Sequence, residues 1–441
     1  MKKEISVGFV GTGNIGSSAV KHIDGSLDII YAKTGYKLIP EMVYDKRPES
    51  LEFLADLKNV RPRIAGSAEE VVDNPNIEIL VEATGTLDFA RDLIYKAFKN
   101  GKSVVTPGKK VVARCMKEIT EEAIKYGQSI GFEASIMASV PIINTLRDTT
   151  DEVISYLAIA NGTTNYILTK MYDGKEFELA LKEAQKKGFA EPDPTEDIEG
   201  FDTAHKNVIC TAVAYRTYVG CEPIESELYR EGIGKISKQD IELALNEFGL
   251  KVKLLAKSKL RGDGKLEIGT YPLLIPADHE LAAVKDNFNA IYIVFVNKDV
   301  HFYKGKGAGA DPTKVPVVDD IIRIATEKRA GRAYVPPIDR EIELVNPLEQ
   351  VYPFYLRFDA FDKTGVLSKL SAVLADNNVG IASVKQTKRD YTGNNTTVPV
   401  VMLTHEAKTE DVLEAVKYIN RRLKGNAINN ETVVIRVGNG N

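Results

Sequence analysis

Six carboxylates fall within a dozen residues of this chain, Glu191, Asp193, Glu196, Asp197, Glu199 and Asp202, in a segment AEPDPTEDIEGFDTAHK that ends at Lys206. Such crowding of like charge is tolerated where it is solvated or where something cationic binds. The run GFDTAHKNVICTAVAY reads as the start of a helix, so Asp202 and Lys206, four residues apart, share a face with the aspartate nearer the positive helix end. A carboxylate so placed can hold an ammonium. An ammonium beside a reacting oxygen stabilises negative charge there and can then release a proton. A weak surface ion pair has the same spacing. What argues against it is the block NGTTNYILTKM that opens the stretch at Asn161, too polar for a core segment.

A second constellation lies near the start. ISVGFVGTGNIGSSAVKHI is an apolar β-rich run, then Gly11, Thr12, Gly13, Asn14, Ile15 and Gly16, then a helical pattern. This is the strand, turn and helix of a dinucleotide fold, with Gly11 for the tight turn, Gly13 for approach of backbone to a pyrophosphate and Gly16 for close helix packing. The helix N-terminus stabilises the phosphate charge. The next strand, EMVYDKRPE, ends in Asp45, which suits the ribose of NAD, followed by Lys46 and Arg47, either of which suits the 2′-phosphate of NADP. The coenzyme is therefore NAD(H) or NADP(H), and the residues leave the choice open. The spacing from the glycines to Asp45 is long, and an inserted loop around YAKTGYK accounts for it. Strands and helices go on alternating through NIEILVEATG and KSVVTPGKKVVA, which implies a parallel sheet with ligands beyond the carboxyl ends of its strands. That places Thr84 and Lys109 beside the coenzyme.

These residues need a scaffold, and 441 residues are enough for two or three domains. With a net charge of −4 and both signs interspersed, the chain has no electrostatic footprint for nucleic acid or an anionic membrane. The N-terminus enters a strand without a signal segment and no apolar run is long enough to span a bilayer. Cys115, Cys210 and Cys221 have neither pairing nor metal-site spacing, as expected of reduced thiols in a cytoplasmic protein. From about residue 142 the pattern becomes α+β, with successive strands and short turns that favour an antiparallel or mixed sheet able to pair subunits. The turn GKGAGADPT, with Gly305, Gly307 and Gly309, then precedes a helix. RAYVPPIDREIELVNPLEQV reads as a linker. Beyond it the order βαββαβ is the ferredoxin-like plan.

The signature blocks NGTTNYILTKM and AQKKGFAEPDPTEDIEGFDTAHK, with EGIGKISKQDIELALNEFGLKVKLLAKSKL, YPLLIPADHELAAV and GKGAGADPT after them, resemble homoserine dehydrogenases over nearly the whole catalytic part of the chain. The tail, with DKTGVLSKL, resembles an ACT domain. The resemblance implies a Rossmann domain over 1–141 plus about 311–345, a substrate and dimerisation domain with a mixed sheet over 142–310, and an ACT domain over 353–441. It implies interconversion of L-aspartate 4-semialdehyde and L-homoserine with a nicotinamide coenzyme. Lys206 is the acid, held by Asp202, or Lys109 is the acid and Lys206 an anchor. Glu191 binds the substrate ammonium, Asp197 supports the site, and Thr163 is a third substrate-binding residue. Gly307 approaches the coenzyme. A monovalent cation such as sodium is held by Glu133, Ile136, Ala138 and Val140, mostly through main-chain oxygens. A homo-oligomer, dimer or tetramer, is expected. Asp362, Gly365 and Asn378 mark an effector site for threonine or another amino acid on a separable regulatory domain, unless that domain serves assembly. The chain departs from the family pattern with Gly108 before Lys109, at EATGT, at Ala138 and Ser139, and with Thr364 for a proline. An alternative reading is a non-catalytic amino-acid sensor built on the same Rossmann and ACT parts.

Overall fold

The computed structural model describes residues 4–307, 310–386 and 396–438, the side chains of residues 310–312 excepted. It divides into two compact units, one of residues 1–152, 205–221 and 303–341, the other of residues 153–204, 222–302 and 342–441.

In the first unit six parallel strands, β1 (Glu4–Val10), β2 (Lys37–Tyr44), β3 (Arg63–Ile64), β4 (Ile79–Glu82), β5 (Ser103–Val105) and β6 (Ile130–Gly131), stand in the order β3-β2-β1-β4-β5-β6. The sheet is covered by helices, so its central strands are continuous apolar runs; β1 is buried at every residue from Ile5 to Val10. Strand order reverses between β1 and β4, which opens a crevice beyond their carboxyl ends at Val10 and Glu82. The helix after the glycine turn is unbroken from Asn14 to Thr34 and stops at Gly35, whose φ of 72° only glycine adopts without strain. The long spacing to Asp45 is thus extra helix, and YAKTGYK is no inserted loop. The helix Ala310–Arg329 packs beside the Asn14–Thr34 helix in this unit.

The second unit holds β7 (Val153–Ile159), β8 (Leu250–Leu260), β9 (Leu266–Pro276) and β10 (Phe288–Phe295), with β7 antiparallel to both β10 and β8 and β8 antiparallel to β9. β11 (Val300–Lys306) continues the same sheet beside β10. A short strand β12 (Val351–Tyr352) leads into β13 (Phe354–Phe361), β14 (Ile381–Gln386), β15 (Thr397–Thr404), β16 (Ala407–Lys408) and β17 (Val433–Val437). β12 pairs with β16, and the others take the order β17-β13-β15-β14, a ferredoxin-like sheet.

The tail is not a compact unit by itself. β17 pairs in parallel with β9, Arg436 opposite Leu273 and Val437 opposite Leu274, so the two sheets are one of nine strands. Its faces bury common cores. Leu157, Leu255 and Leu273 pack with Phe354, Leu356 and Phe358 in one cluster, while Tyr166, Ile167 and Leu254 pack with Tyr355, Val401 and Ile435 in another. The domain expected from sequence thus shares its sheet and its cores with the strands before it. The other difference is His205–Cys221, which sequence placed in the substrate domain and which belongs to the first unit.

Candidate active site

Beyond the carboxyl end of β1 the chain turns through Gly11, whose amide bonds the Tyr44 carbonyl at 2.8 Å and whose φ is 93°. A Cβ on Gly11 would lie 2.4 Å from the Ala83 oxygen, and one on Gly16 would lie 2.1 Å from the Gly11 oxygen. Neither position admits a side chain. Gly13 starts the Asn14–Thr34 helix with no side chain capping it, so the amides around Asn14, Ile15 and Gly16 are open to an anion. Thr12 is 1 % exposed, and its hydroxyl has no hydrogen-bond partner among the described residues.

Asp45 closes this turn. Its Oδ2 accepts from the Thr12 amide at 2.8 Å, and its Oδ1 accepts from the Arg47 amide at 3.0 Å and from Arg47 Nε at 3.3 Å. Burial raises the Asp45 carboxyl, but these hydrogen bonds and the Arg47 charge outweigh it and hold the group below the usual carboxylate range. The Arg47 guanidinium is half exposed beside the turn, 3.2 Å from where a Gly13 Cβ would stand. Glycine turn, carboxylate and guanidinium fit a dinucleotide.

The ends of β4 and β5 are tied by Glu82, a residue the sequence reading passed over. It is fully buried, and it accepts from the Thr84 amide and hydroxyl, both at 2.7 Å, and from the Thr106 hydroxyl at 2.6 Å. The Gly108 amide in turn bonds the Thr106 hydroxyl at 2.9 Å. Lys109 is the first residue of the helix Lys109–Lys125 and lines a cavity of about 180 Å³ with Glu82, Thr86, Leu87 and Pro107. A Cβ at Gly108 would be 2.9 Å from the Thr106 hydroxyl and 3.1 Å from Val111. The turn as it stands thus suits the glycine found before Lys109. Gly307 is buried at the end of β11, and residues 308 and 309, with Gly309 of the expected turn, lie outside the described residues.

The acidic cluster of the second unit is built on Asn161. Its side chain caps the helix Gly162–Tyr172 by accepting the Thr164 amide at 2.7 Å, while its Nδ2 donates to Asp197 Oδ1 at 2.7 Å and to Asp202 Oδ2 at 2.8 Å. One amide thus brings the two carboxylates together. Asp202 is 3 % exposed in the first turn of the helix Phe201–Tyr215, and Lys206 lies one turn on, half-buried. Thr163 is expected to bind substrate. It is buried, and its hydroxyl donates to the Phe189 carbonyl at 2.6 Å, so it holds the loop that carries Glu191. Glu191 itself is exposed, its backbone carbonyl held by Gln185 Nε2 at 3.2 Å.

At the expected cation site, Glu133 is 1 % exposed and accepts from the Ile143 amide at 2.9 Å and the Asn144 amide at 2.7 Å. Burial raises its carboxyl to about 7 against the pull of those bonds. Its side chain therefore serves the open N-terminus of the helix Ile142–Asp148, which is a structural use. Ile136, Ala138 and Val140 are buried, and Ala138 sits at φ 49°, where a glycine would be free of strain of about 1 kcal/mol. No group of three or more His, Cys, Asp or Glu side chains gathers for a metal among the described residues.

The expected effector residues do not form one cluster within the chain. Asp362 and Gly365 are exposed before the helix Val366–Asp376, with Gly365 at φ 83° as the turn requires. Asn378 is exposed beyond the opposite end of that helix, at φ 60°. Eleven helical residues span roughly 16 Å.

Residues 11–133 match the family model described as homoserine dehydrogenase, NAD binding domain; residues 141–322 match the homoserine dehydrogenase model; residues 354–421 match the ACT domain model. A homoserine dehydrogenase of Bacillus subtilis is 30 % identical over 424 residues, and one of Neisseria gonorrhoeae 34 % identical over 432, each match covering 95 % of both chains. The crystal structure of a homoserine dehydrogenase from Thiobacillus denitrificans superposes with a TM-score of 0.90 at 30 % identity, covering 100 % of this chain and 99 % of that one. No helix among the described residues is long and apolar enough to cross a membrane.

Proposed function

The chain belongs to the homoserine dehydrogenase family, and from that premise we propose how its residues share the work of interconverting L-aspartate 4-semialdehyde and L-homoserine. The observation that carries the reading is the Asn161 clamp on Asp197 and Asp202, at the foot of the helix that bears Lys206.

A bound nicotinamide coenzyme supplies or takes the hydride. The amides from Gly13 to Gly16 would hold its pyrophosphate, and Asp45 and Arg47 its adenosine ribose. Both oxygens of Asp45 already accept from the chain, whereas the Arg47 guanidinium is half exposed. That balance favours NADP(H), the 2′-phosphate pairing with Arg47. Glu82, through Thr84 and Thr106, orders the loops on either side of the Lys109 cavity.

The chain's remaining task is one proton. As hydride reaches the aldehyde carbon its oxygen gains charge, which the Lys206 ammonium stabilises and then protonates; in homoserine oxidation the neutral amine takes the hydroxyl proton. Asp202 keeps that amine in place. Glu191, exposed on the loop that Thr163 holds, binds the substrate ammonium, and Asp197 supports it. Lys109 serves coenzyme and substrate from the other loop. A monovalent cation, where present, rests on the main-chain oxygens around Ile136 and Ala138. Pairing of subunits through the substrate domain, a threonine-like effector at the ACT fold and a cytoplasmic setting complete the reading.

Lys206→Ala compared with Lys109→Ala tests the assignment. The first should lower kcat about a hundredfold or more with coenzyme affinity kept. The reverse pattern would move the acid to Lys109.

A further inference from the structure

The loop that carries Asp197 and Asp202 does not stand alone. It rests, backbone on backbone, on the segment Arg230–Ile233. The Ile233 amide donates to the Ile198 carbonyl at 2.8 Å, and Arg230 donates to the Glu199 carbonyl while its guanidinium lies 3.5 Å from the Phe201 ring centre. Between them Gly232 makes the contact possible: a Cβ there would fall 2.2 Å from the Ile198 oxygen and 2.6 Å from Glu199 Cα. Any shift of this segment must move the acidic loop.

Glu231, in the middle of the segment, is fixed from the far end of the chain. Arg436 Nη1 on β17 bonds Glu231 Oε1 at 2.5 Å. Arg436 is 4 % exposed, its Nε has no acceptor among the described residues, and its guanidinium lies 3.9 Å from the centre of the Tyr271 ring. Among the described residues, Glu231 is thus the one carboxylate paired with a guanidinium otherwise enclosed by aromatic rings. A buried cation with so few partners holds the one it has, because losing it strands the charge. β17 is itself registered on β9, and the Glu231 amide bonds Thr270 of β9 at 2.8 Å, so strand and segment share one rigid support.

We infer that Arg436, on the last strand of the ACT fold, is a positioning residue for the substrate: through Glu231 it fixes Arg230–Ile233 and thereby the Asp197 and Asp202 carboxylates. The inference rests on the proposed role of those carboxylates. Its consequence is that the tail reaches the substrate half-site directly. A displacement of β17 alters homoserine binding without touching the coenzyme turn.

The test uses the full-length enzyme and steady-state kinetics. Arg436→Met should raise KM for homoserine about tenfold while KM for the coenzyme stays within about twofold, and Arg436→Lys should restore part of the loss. Glu231→Gln should reproduce the effect, and the double variant Arg436→Met with Glu231→Gln should be no worse than either single change, since neither partner is then stranded. Should Arg436→Met fail to fold, Arg436→Lys and Glu231→Gln carry the test. Unchanged homoserine KM in these variants overturns the inference, as does an equal loss for homoserine and coenzyme that tracks a lower melting temperature. Asp197→Asn in the wild-type background separates the two layers: if it raises homoserine KM while the Arg436 variants do not, only the positioning role fails; if it too is silent, the substrate assignment fails.

Discussion

Asn161 and Asp202, forty-one residues apart in sequence, are joined by a hydrogen bond of 2.8 Å from Nδ2 to Oδ2, and the second N–H of the same amide reaches Asp197 at 2.7 Å. Two carboxylates that would repel are held together by one neutral donor group that also caps a helix. Asn161→Ala removes both charge-assisted bonds, and kcat/KM for homoserine should fall about a hundredfold, with coenzyme dissociation constant unchanged. A variant with wild-type kcat/KM would mean that the acidic loop is organised by something else.

Arg47 is the basis for coenzyme choice. Arg47→Ala should raise KM for NADP about tenfold and leave NAD much less affected, because only NADP carries the phosphate that the guanidinium pairs with. Initial rates with each coenzyme check this. An equal loss for both would assign Arg47 to the placement of Asp45 instead.

Lys253 gives a pH signature of stability. It is 2 % exposed, donating to Asn165 Oδ1 at 2.8 Å and to the Val284 carbonyl, and burial lowers its ammonium to about 7 from the ordinary 10.5. Between those values the unfolded chain binds a proton that the folded chain lacks. Stability from this group therefore rises with pH across that window, by at most about 1.4 kcal/mol per pH unit, and is lost as pH falls through 7. Urea midpoints of the wild type should accordingly gain on those of Lys253→Met between about pH 7 and pH 10. A constant difference would show that the lysine does not titrate there.

Ending the chain before Tyr352 should yield an aggregating or inactive protein. The cut removes Phe354, Leu356 and Phe358 from a core shared with Leu157, Leu255 and Leu273, and it strips Arg436 from Glu231. Large exposed apolar faces associate. A monodisperse truncated enzyme with wild-type kcat would contradict the shared core.

The sequence reading and the structure part company where contacts are long-range. The glycine turn, Asp45 and the acidic run were legible because each depends on local spacing, and the ferredoxin-like order was legible from strand and helix periodicity. The pairing of β17 with β9 was not, since nothing local in VVIRV marks Leu273 as its neighbour. Arg436 offered one signal, a charge within an apolar strand. Glu82 offered the same kind, a carboxylate closing the buried run ILVE. Asn161 stood at the head of the signature block, and its place before GTT is that of a helix cap. Thr163 reads as a substrate contact because it is a hydroxyl in a polar block, and nothing local shows that its hydroxyl also bonds the Phe189 carbonyl.

Formation of reduced coenzyme by purified full-length protein, with L-homoserine and with NAD or NADP supplied separately, measured beside the Lys206→Ala variant, decides whether Lys206 handles the proton. Homoserine-dependent reduction is expected, faster with NADP, with a kcat about a hundredfold or more lower in the variant and coenzyme affinity unchanged. No turnover with either coenzyme, or a Lys206→Ala enzyme as fast as wild type, would contradict it.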